Sequence, residues 1–376
     1  MKMISVVGAR PNFMKIAPII RQVSAHPEIE HLLVHTGQHY DAMMSEQFFA
    51  DLQLPRPDVN LGIGSGTQAE QTARALVGFE RILLEQTPDW VIVVGDVNST
   101  LACALAAAKL RIKVAHVEAG LRSFDRDMSE EINRILTDVL SDLLFAPSEQ
   151  AKQQLLQEGI PDARICVVGN VMIDTLLMVQ ERAAQSRIVE VMQLEPKHYG
   201  IVTLHRAETV DNPQHLRRVG LALQELAQEL PLVFPMHPRT ADRLKQAGLW
   251  SQWTAIPGLR LSDPLGYVDF IGLLSQARFV LTDSGGIQEE AAWLGLPCVT
   301  LRERTEWVET VEAGANSLAG TEPRRIVDAA RRLLNTTSIP ALRPPLWDGQ
   351  SAQRIVQLLI EIGHERKRVE VTTKCH

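Results

Sequence analysis

The chain has 376 residues, 45% of them hydrophobic and 22% charged, and a net charge of −7 at pH 7. That length exceeds one core of ordinary size, so two domains are expected, and the acidic balance argues against a general nucleic-acid binder. Apolar runs fall short of the ~18–20 residues of a membrane span, and Cys103, Cys166, Cys298 and Cys375 lack metal-type spacing. A strand begins almost at the N-terminus and leaves no room for a signal peptide, so a reducing, cytoplasmic setting is expected.

Apolar runs and helical spacing alternate along nearly the whole chain. Residues 3–7 read as a strand, and Phe13, Ile16, Ile20 and Val23 recur at near-helical spacing, with Pro18 expected to kink that helix or sit near its start. A second strand covers 32–35. The unbroken apolar run 90–94 suits a parallel strand covered on both faces. A helix over 99–110 leads to a strand at 113–117; helices near 130–140 and 148–158 surround a strand at 143–145, and 165–168 is another. The pattern then restarts, with strands at 200–204, 232–235, 259–261, 279–281 and 298–301. Two runs of alternation predict an α/β chain with two doubly wound parallel sheets, with ligand at the carboxyl ends of the strands and in the cleft between domains. The boundary is expected near Gly169–Asp174, giving domains of 1–170 and 171–376, and residues from His364 onward read as a frayed polar tail.

Chemistry-bearing residues gather where predicted strands end. Thr282, Asp283 and Ser284 close a strand, Gly285 and Gly286 free the backbone, and a helix follows that carries Glu289 and Glu290. Such a turn presents unpaired N–H groups at the positive end of a helix, which suits a phosphate, while the carboxylates one turn on suit ribose hydroxyls. A plain turn with Ser284 as helix cap accounts for the same residues. Arg10 and Lys15 follow the first strand, in a turn that is not a dinucleotide fingerprint; they are either surface cations or partners of that anion. Gly62, Gly64 and Gly66 form a glycine-rich loop with no strand-to-helix context to support a fingerprint. Asp96 ends a strand, where it serves as a helix cap or as an active-site acid, and Glu118 comes straight off the next strand before a glycine. Glu130 and Glu131 open a helix that also carries Arg134. Three carboxylates converging on one sheet edge raise each other's pKa values and point to proton chemistry. In the second half, His205–Arg206 and His237–Arg239 end successive strands, which suggests an anion site; neither histidine fits a metal motif.

Together the stretches GARPNFMK, HTGQHYD, VVGDVNSTLA, HVEAGLRSFDRDMSEEINR, TLHRAE, HPRT and TDSGGIQEEA resemble the non-hydrolysing UDP-N-acetylglucosamine 2-epimerases, in order, from Gly8 to about Gly320. The resemblance implies two Rossmann-like domains of the glycosyltransferase-B type, with a last helix at about 350–366 packing back on the first. It implies an isomerase that interconverts UDP-GlcNAc and UDP-ManNAc, a homodimer with no cofactor, and no membrane or nucleic-acid partner. By motif match, uridine diphosphate meets Arg10, Lys15, His205, Ser284, Gly285, Gly286 and Glu290, while Asp96, Glu118 and Glu130 are the catalytic carboxylates, joined by His205. Arg134, Arg206, His237, Arg239 and Phe270 complete the candidate substrate-binding set. Three departures stand out. Ser129 replaces a proline, and Trp307 replaces an arginine that contacts substrate, for which Arg302 or Arg304 is a candidate substitute. Ala207 and Tyr40 replace arginines of many bacterial members, which implies weakened activation by UDP-GlcNAc. The Trp307 form also occurs in relatives that act on UDP-2,3-diacetamido-glucuronic acid, the alternative substrate class. A hydrolysing epimerase, a retaining glycosyltransferase and a non-catalytic binder are the rival readings.

Overall fold

The computed structural model describes residues 1–38, 42–335 and 341–374, and the side chains of all of these except 42–46 and 364–374. The chain divides into two compact units, the first made of residues 1–178 and 344–376, the second of 179–343. The sequence placed the boundary near Gly169–Asp174; the division falls instead inside the helix Val171–Ala184, whose apolar run gives no local sign of a break.

The first unit is built on strands β1 (Lys2–Val7), β2 (Glu30–His35), β3 (Val59–Asn60), β4 (Trp90–Val94), β5 (Lys113–Val117), β6 (Leu143–Ala146) and β7 (Ile165–Val167). They form one sheet in the order β3-β2-β1-β4-β5-β6-β7, parallel at every pairing. The second unit holds β8 (Gly200–Thr203), β9 (Leu232–Pro235), β10 (Leu259–Ser262), β11 (Phe279–Thr282), β12 (Cys298–Thr300) and β13 (Asn316–Leu318). Its sheet runs β10-β9-β8-β11-β12-β13, again all parallel. Both orders reverse direction after the first strand. Connections leave β1 and β4, and likewise β8 and β11, toward opposite sides, and this opens a crevice at the strands' carboxyl ends. The central strands are buried on both faces, as β4 shows with every residue of WVIVV enclosed.

Local chemistry sets the turns at these crevices. Asn12, in the first turn of the helix Arg10–Val23, accepts the Gly8 and Ala9 N–H groups and donates to the Val94 carbonyl at 2.9 Å, tying the turn after β1 to β4. Gly8 is a glycine because a Cβ there would run into Ser99 and Thr36. Pro18 lies inside the helix rather than at its start. The Gly62–Gly66 loop does connect a strand, the two-residue β3, to the helix Gln68–Gln86. It is no phosphate loop, however. Thr67 and Glu70 cap that helix reciprocally, and the Arg74 guanidinium donates to the carbonyls of Ile63 and Ser65.

The last helix, Ser351–Lys374, belongs to the first unit. Expected to fray after His364, it continues to Lys374, over a stretch rich in the helix formers Glu, Lys and Arg. Its start is fixed by Asp174, which accepts the Ala352 N–H at 2.7 Å, and by Trp347, whose indole donates to the Pro147 carbonyl at 3.0 Å. Gly169 has φ +93° and faces the Leu346 carbonyl so closely that a Cβ would run into it, whereas Gly159, at φ +86°, has nothing within 4 Å. Gly159→Ala is therefore expected to cost about 1–2 kcal/mol for the left-handed backbone alone. Gly169→Ala adds about 1–3 kcal/mol of overpacking to the same backbone cost. Urea midpoints of the two variants check this; equal losses would refute the close approach.

Candidate active site

In the first unit Lys15, Asp96, Glu118 and Arg134 meet at the crevice beside β1, β4 and β5. Glu118 follows β5 directly and sits at φ +73°, a left-handed backbone angle uncommon outside glycine. Its amide donates to the Phe145 carbonyl at 3.1 Å, which holds the strained residue in place. Lys15, from the first helix, is buried and forms an ion pair with the Glu118 carboxylate, so it is not a surface cation. Burial pushes the Glu118 carboxyl above the ordinary carboxylate range; Lys15 pulls it down, and nearby Asp96 pushes it up again.

Asp96 is not the cap of the following helix, a position taken by Val97. Its carboxylate pairs with Arg134 at 2.6 Å, and its carbonyl accepts from Asn133 at 2.9 Å. Arg134 also reaches Glu131 at 2.8 Å. The two adjacent glutamates separate cleanly. Glu131 is buried and accepts from the Ser123 amide and hydroxyl and the Phe124 amide, pinning the turn before the helix Ser129–Leu140. Glu130 is half-buried on the first turn of the helix and accepts from Ser129 Oγ at 3.1 Å. Arg10 lies with its guanidinium 4.2 Å from the Phe48 ring centroid. Tyr40 lies outside the described residues.

In the second unit the helix Gly285–Leu294 begins at the carboxyl end of β11. Ser284 occupies its cap position without a side-chain cap bond, and the first turn carries no acidic residue. Its N–H groups form a positive end of the kind that holds phosphate oxygens. A Cβ on Gly285 would lie 2.5 Å from Glu306 Oε1, which is why a glycine stands there. Asp283, fully buried, accepts the backbone N–H groups of His205 and Arg206 and pairs with the His205 ring at 3.2 Å. Burial alone would raise the Asp283 carboxyl, but the His205 ring and those N–H groups hold it below the usual range. The His205 and His237 rings stand 6.2 Å apart between centroids. Glu290 is buried and accepts from Tyr267 Oη at 2.7 Å; Phe270 sits half-buried on the first turn of the same helix as Tyr267.

Other candidates are engaged elsewhere. Arg206 reaches Glu306 at 3.4 Å, and Arg302, buried, pairs with the same carboxylate at 2.9 Å, while Arg304 is exposed. Arg239 is exposed and pairs with Asp211 at 2.5 Å. Trp307 is buried in the core beneath the turn, and Ala207 opens the short helix Ala207–Val210. The sequence reading missed Asp283 as an organiser of the histidine turn; its place between a strand and a serine-glycine turn was the available signal. Among the described residues, no group of three or more His, Cys, Asp or Glu is placed to hold a metal ion. No helix among them is long and apolar enough to cross a membrane.

Two Rossmann-like units of this strand order, each with charged turns at its point of reversal, define an α/β chain of the glycosyltransferase-B type. The UDP-N-acetylglucosamine 2-epimerase family model matches residues 21–360, and the chain belongs to that family. A UDP-N-acetylglucosamine 2-epimerase of Methanocaldococcus jannaschii is 44% identical over 96% of this chain and 99% of its own length. A solved structure of an M. jannaschii UDP-GlcNAc 2-epimerase, in complex with UDP-GlcNAc and UDP, superposes with a TM-score of 0.90 at 43% identity, covering 96% of this chain and all of that one. A UDP-2,3-diacetamido-2,3-dideoxy-D-glucuronate 2-epimerase of Pseudomonas aeruginosa is 42% identical over 96% of this chain and 100% of its own.

Because its carboxyl is held low, Asp283 stabilises the second unit at pH values above its unfolded pKa of about 4, and the contribution is lost as pH falls through the folded value. Asp283→Asn is expected to lower stability by about 1–3 kcal/mol at neutral pH. The gap to the parent should narrow on acidification. Denaturant midpoints measured across that range check the sign; a gap that widens in acid would be the wrong one.

Proposed function

We propose that the chain interconverts UDP-GlcNAc and UDP-ManNAc by eliminating UDP and adding it back with inversion at C2. The observation that carries this reading is Glu118, a strained carboxyl with raised proton affinity, paired with Lys15 and close to Asp96. The C2 hydrogen of an N-acetylhexosamine is not acidic, since no carbonyl or imine sits beside it. As the C1–O bond breaks and its electrons leave with UDP, positive character at C1 acidifies that hydrogen. A carboxylate takes the proton and a 2-acetamidoglucal forms; a proton returned to the other face of C2 and re-addition of UDP to C1 give the epimer. No hydride moves, so the route needs no nicotinamide.

Asp96, Glu118 and Glu130 supply the base and the acid, for which carboxyls of differing proton affinity are suited. In the second unit the N-terminus of the helix Gly285–Leu294, with Ser284, Gly285, Gly286 and His205, holds the departing diphosphate. Arg10 and Lys15 are the candidate cations of the first unit, Lys15 being paired with Glu118. Glu290 takes the ribose hydroxyls, and Phe270 and His237 are further binding candidates, with Arg134, Arg206 and Arg239 each already ion-paired within the fold. The resemblance to the P. aeruginosa relative supports a second reading, in which the sugar is a 2,3-diacetamido-glucuronic acid.

A homodimer and a cytoplasmic setting complete the proposal. Val77 and Leu84 on the helix Gln68–Gln86, and Ile132, Leu136 and Val139 on the helix Ser129–Leu140, are apolar yet 41–62% exposed. Both helices pack on Asn98–Lys109, so these side chains share one side of the first sheet, and a second copy offers the matching apolar surface. Cys103, Cys166 and Cys298 are free thiols, as suits a reducing compartment.

Turnover of UDP-GlcNAc in heavy water is expected to give UDP-ManNAc with solvent deuterium at C2. Asp96→Asn, Glu118→Gln and Glu130→Gln should each lower kcat by about 10²–10⁴-fold with little effect on UDP binding. Arg10→Ala should weaken UDP binding instead. Full retention of the C2 hydrogen, or free sugar as the product, would overturn the reading. Turnover of the diacetamido-glucuronate alone would select the second substrate. For assembly, Leu136→Asp and Val139→Asp should turn the dimer into a monomer in sedimentation equilibrium, and a dimer unmoved by both changes would place the interface elsewhere.

A further inference from the structure

Beneath the turn that carries Asp96 lies a buried charged network which the proposed reaction does not use. His116, in β5, is fully enclosed. Its Nδ1 is 2.6 Å from Asp138 Oδ1 and its Nε2 is 2.9 Å from the Gly95 carbonyl oxygen. The other oxygen of Asp138 accepts the Gly120 N–H at 3.1 Å and pairs with Arg122 at 2.7 Å. Arg122 in turn grips both oxygens of Glu158, at 2.8 and 2.6 Å. A peptide carbonyl only accepts, so the Nε2 bond requires a proton on Nε2. Asp138 is ringed by donors. Burial alone would raise its carboxyl, but the His116 ring and the Arg122 guanidinium outweigh that and hold it below the usual range. Both ring nitrogens therefore face acceptors.

The same ring fixes the backbone next to Asp96. Gly95 sits at φ +67°, donates its N–H to the Val117 carbonyl at 3.1 Å and offers its own carbonyl to His116. β5 thus holds this residue through both its N–H and its carbonyl. One helix, Ser129–Leu140, supplies both anchors: Asp138 for the ring and, one turn earlier, Arg134 for the Asp96 carboxylate. Resting on the reading that Asp96 serves the epimerisation, we propose that His116 is a positioning residue, anchored at Nδ1 by Asp138, that clamps the Gly95 carbonyl and thereby sets the Asp96 carboxylate.

The hydrogen bonding of the ring is read on the unmodified protein. In chain labelled with ring-¹⁵N histidine, the resonances lost in His116→Gln identify His116 among the 11 histidines, and its Nε2 should carry a proton at neutral pH. A bare Nε2 at His116 overturns the clamp on Gly95. The positioning role is read from two near-isosteres. An asparagine amide nitrogen overlays Nδ1 and keeps only the Asp138 bond, whereas a glutamine amide nitrogen overlays Nε2 and keeps only the Gly95 bond. His116→Asn is expected to lower kcat about 10²-fold, with KM and UDP affinity within about threefold of the parent. His116→Gln should recover most of that loss at a similar urea midpoint. Equal losses in the two variants, or losses that follow stability or KM rather than kcat, overturn the positioning role. A parent chain without epimerase activity would remove the functional reading and the clamp's catalytic purpose with it, while the nitrogen shifts would still decide the state of the ring.

Discussion

Lys15 and Glu118 meet at the carboxyl edge of the first sheet with only about a tenth of each side chain open to water. Charges so shielded are costly to keep, and removing one partner strands the other. Much of the surrounding structure serves to hold them. Asn12 ties the start of the lysine's helix to β4, and the bond from the Glu118 amide to Phe145 holds the glutamate at a backbone angle it would not choose. Asp96 raises the local negative charge, and Arg134 answers it while gripping Glu131, which pins the neighbouring turn. Charge compensation thus runs from one helix through two strand ends to a second helix. Displacing any member moves the others.

The second unit repeats the strand order but inverts the electrostatics. Its open helix end has no acidic residue in the first turn, and the nearest strand-end carboxylate, Asp283, is turned inward to the backbone of the histidine turn. Glu306 is likewise engaged, by Arg302 and Arg206. Positive backbone dipole is left facing outward while the carboxylates are occupied within the fold. On the proposed reaction the first unit manages a proton and the second a leaving anion, two demands that a single electrostatic environment would set against each other.

The strands of both sheets were legible because central parallel strands are unbroken apolar runs bounded by glycine and polar residues. The exceptions lie at sheet edges: β3 has two residues and β13 carries Asn316 and Ser317, so neither offers an apolar run. The site was legible as a set of strand-end motifs, yet the roles of neighbours were not. Nothing local separates Glu130 from Glu131; the difference lies in which one meets Ser123 and Arg134 after folding. Lys15 read equally well as a surface cation, since its burial depends on Glu118, about a hundred residues away in sequence. Asp96 looked like a cap because caps are the commoner use of such a residue, and Arg134 reassigns it.

The first unit is closed by the end of the chain, through the Asp174 bond to Ala352 and the Trp347 bond to Pro147. The second unit, 179–343, is therefore an insertion within the first. As the chain leaves the ribosome, the carboxylate-bearing sheet emerges first but lacks its final helix until every residue of the other unit has been made. A folded insert links the two parts of the first unit with less closure entropy to lose than a loose loop of the same length. Order of synthesis and order of completion are thus reversed: the half begun first is finished last.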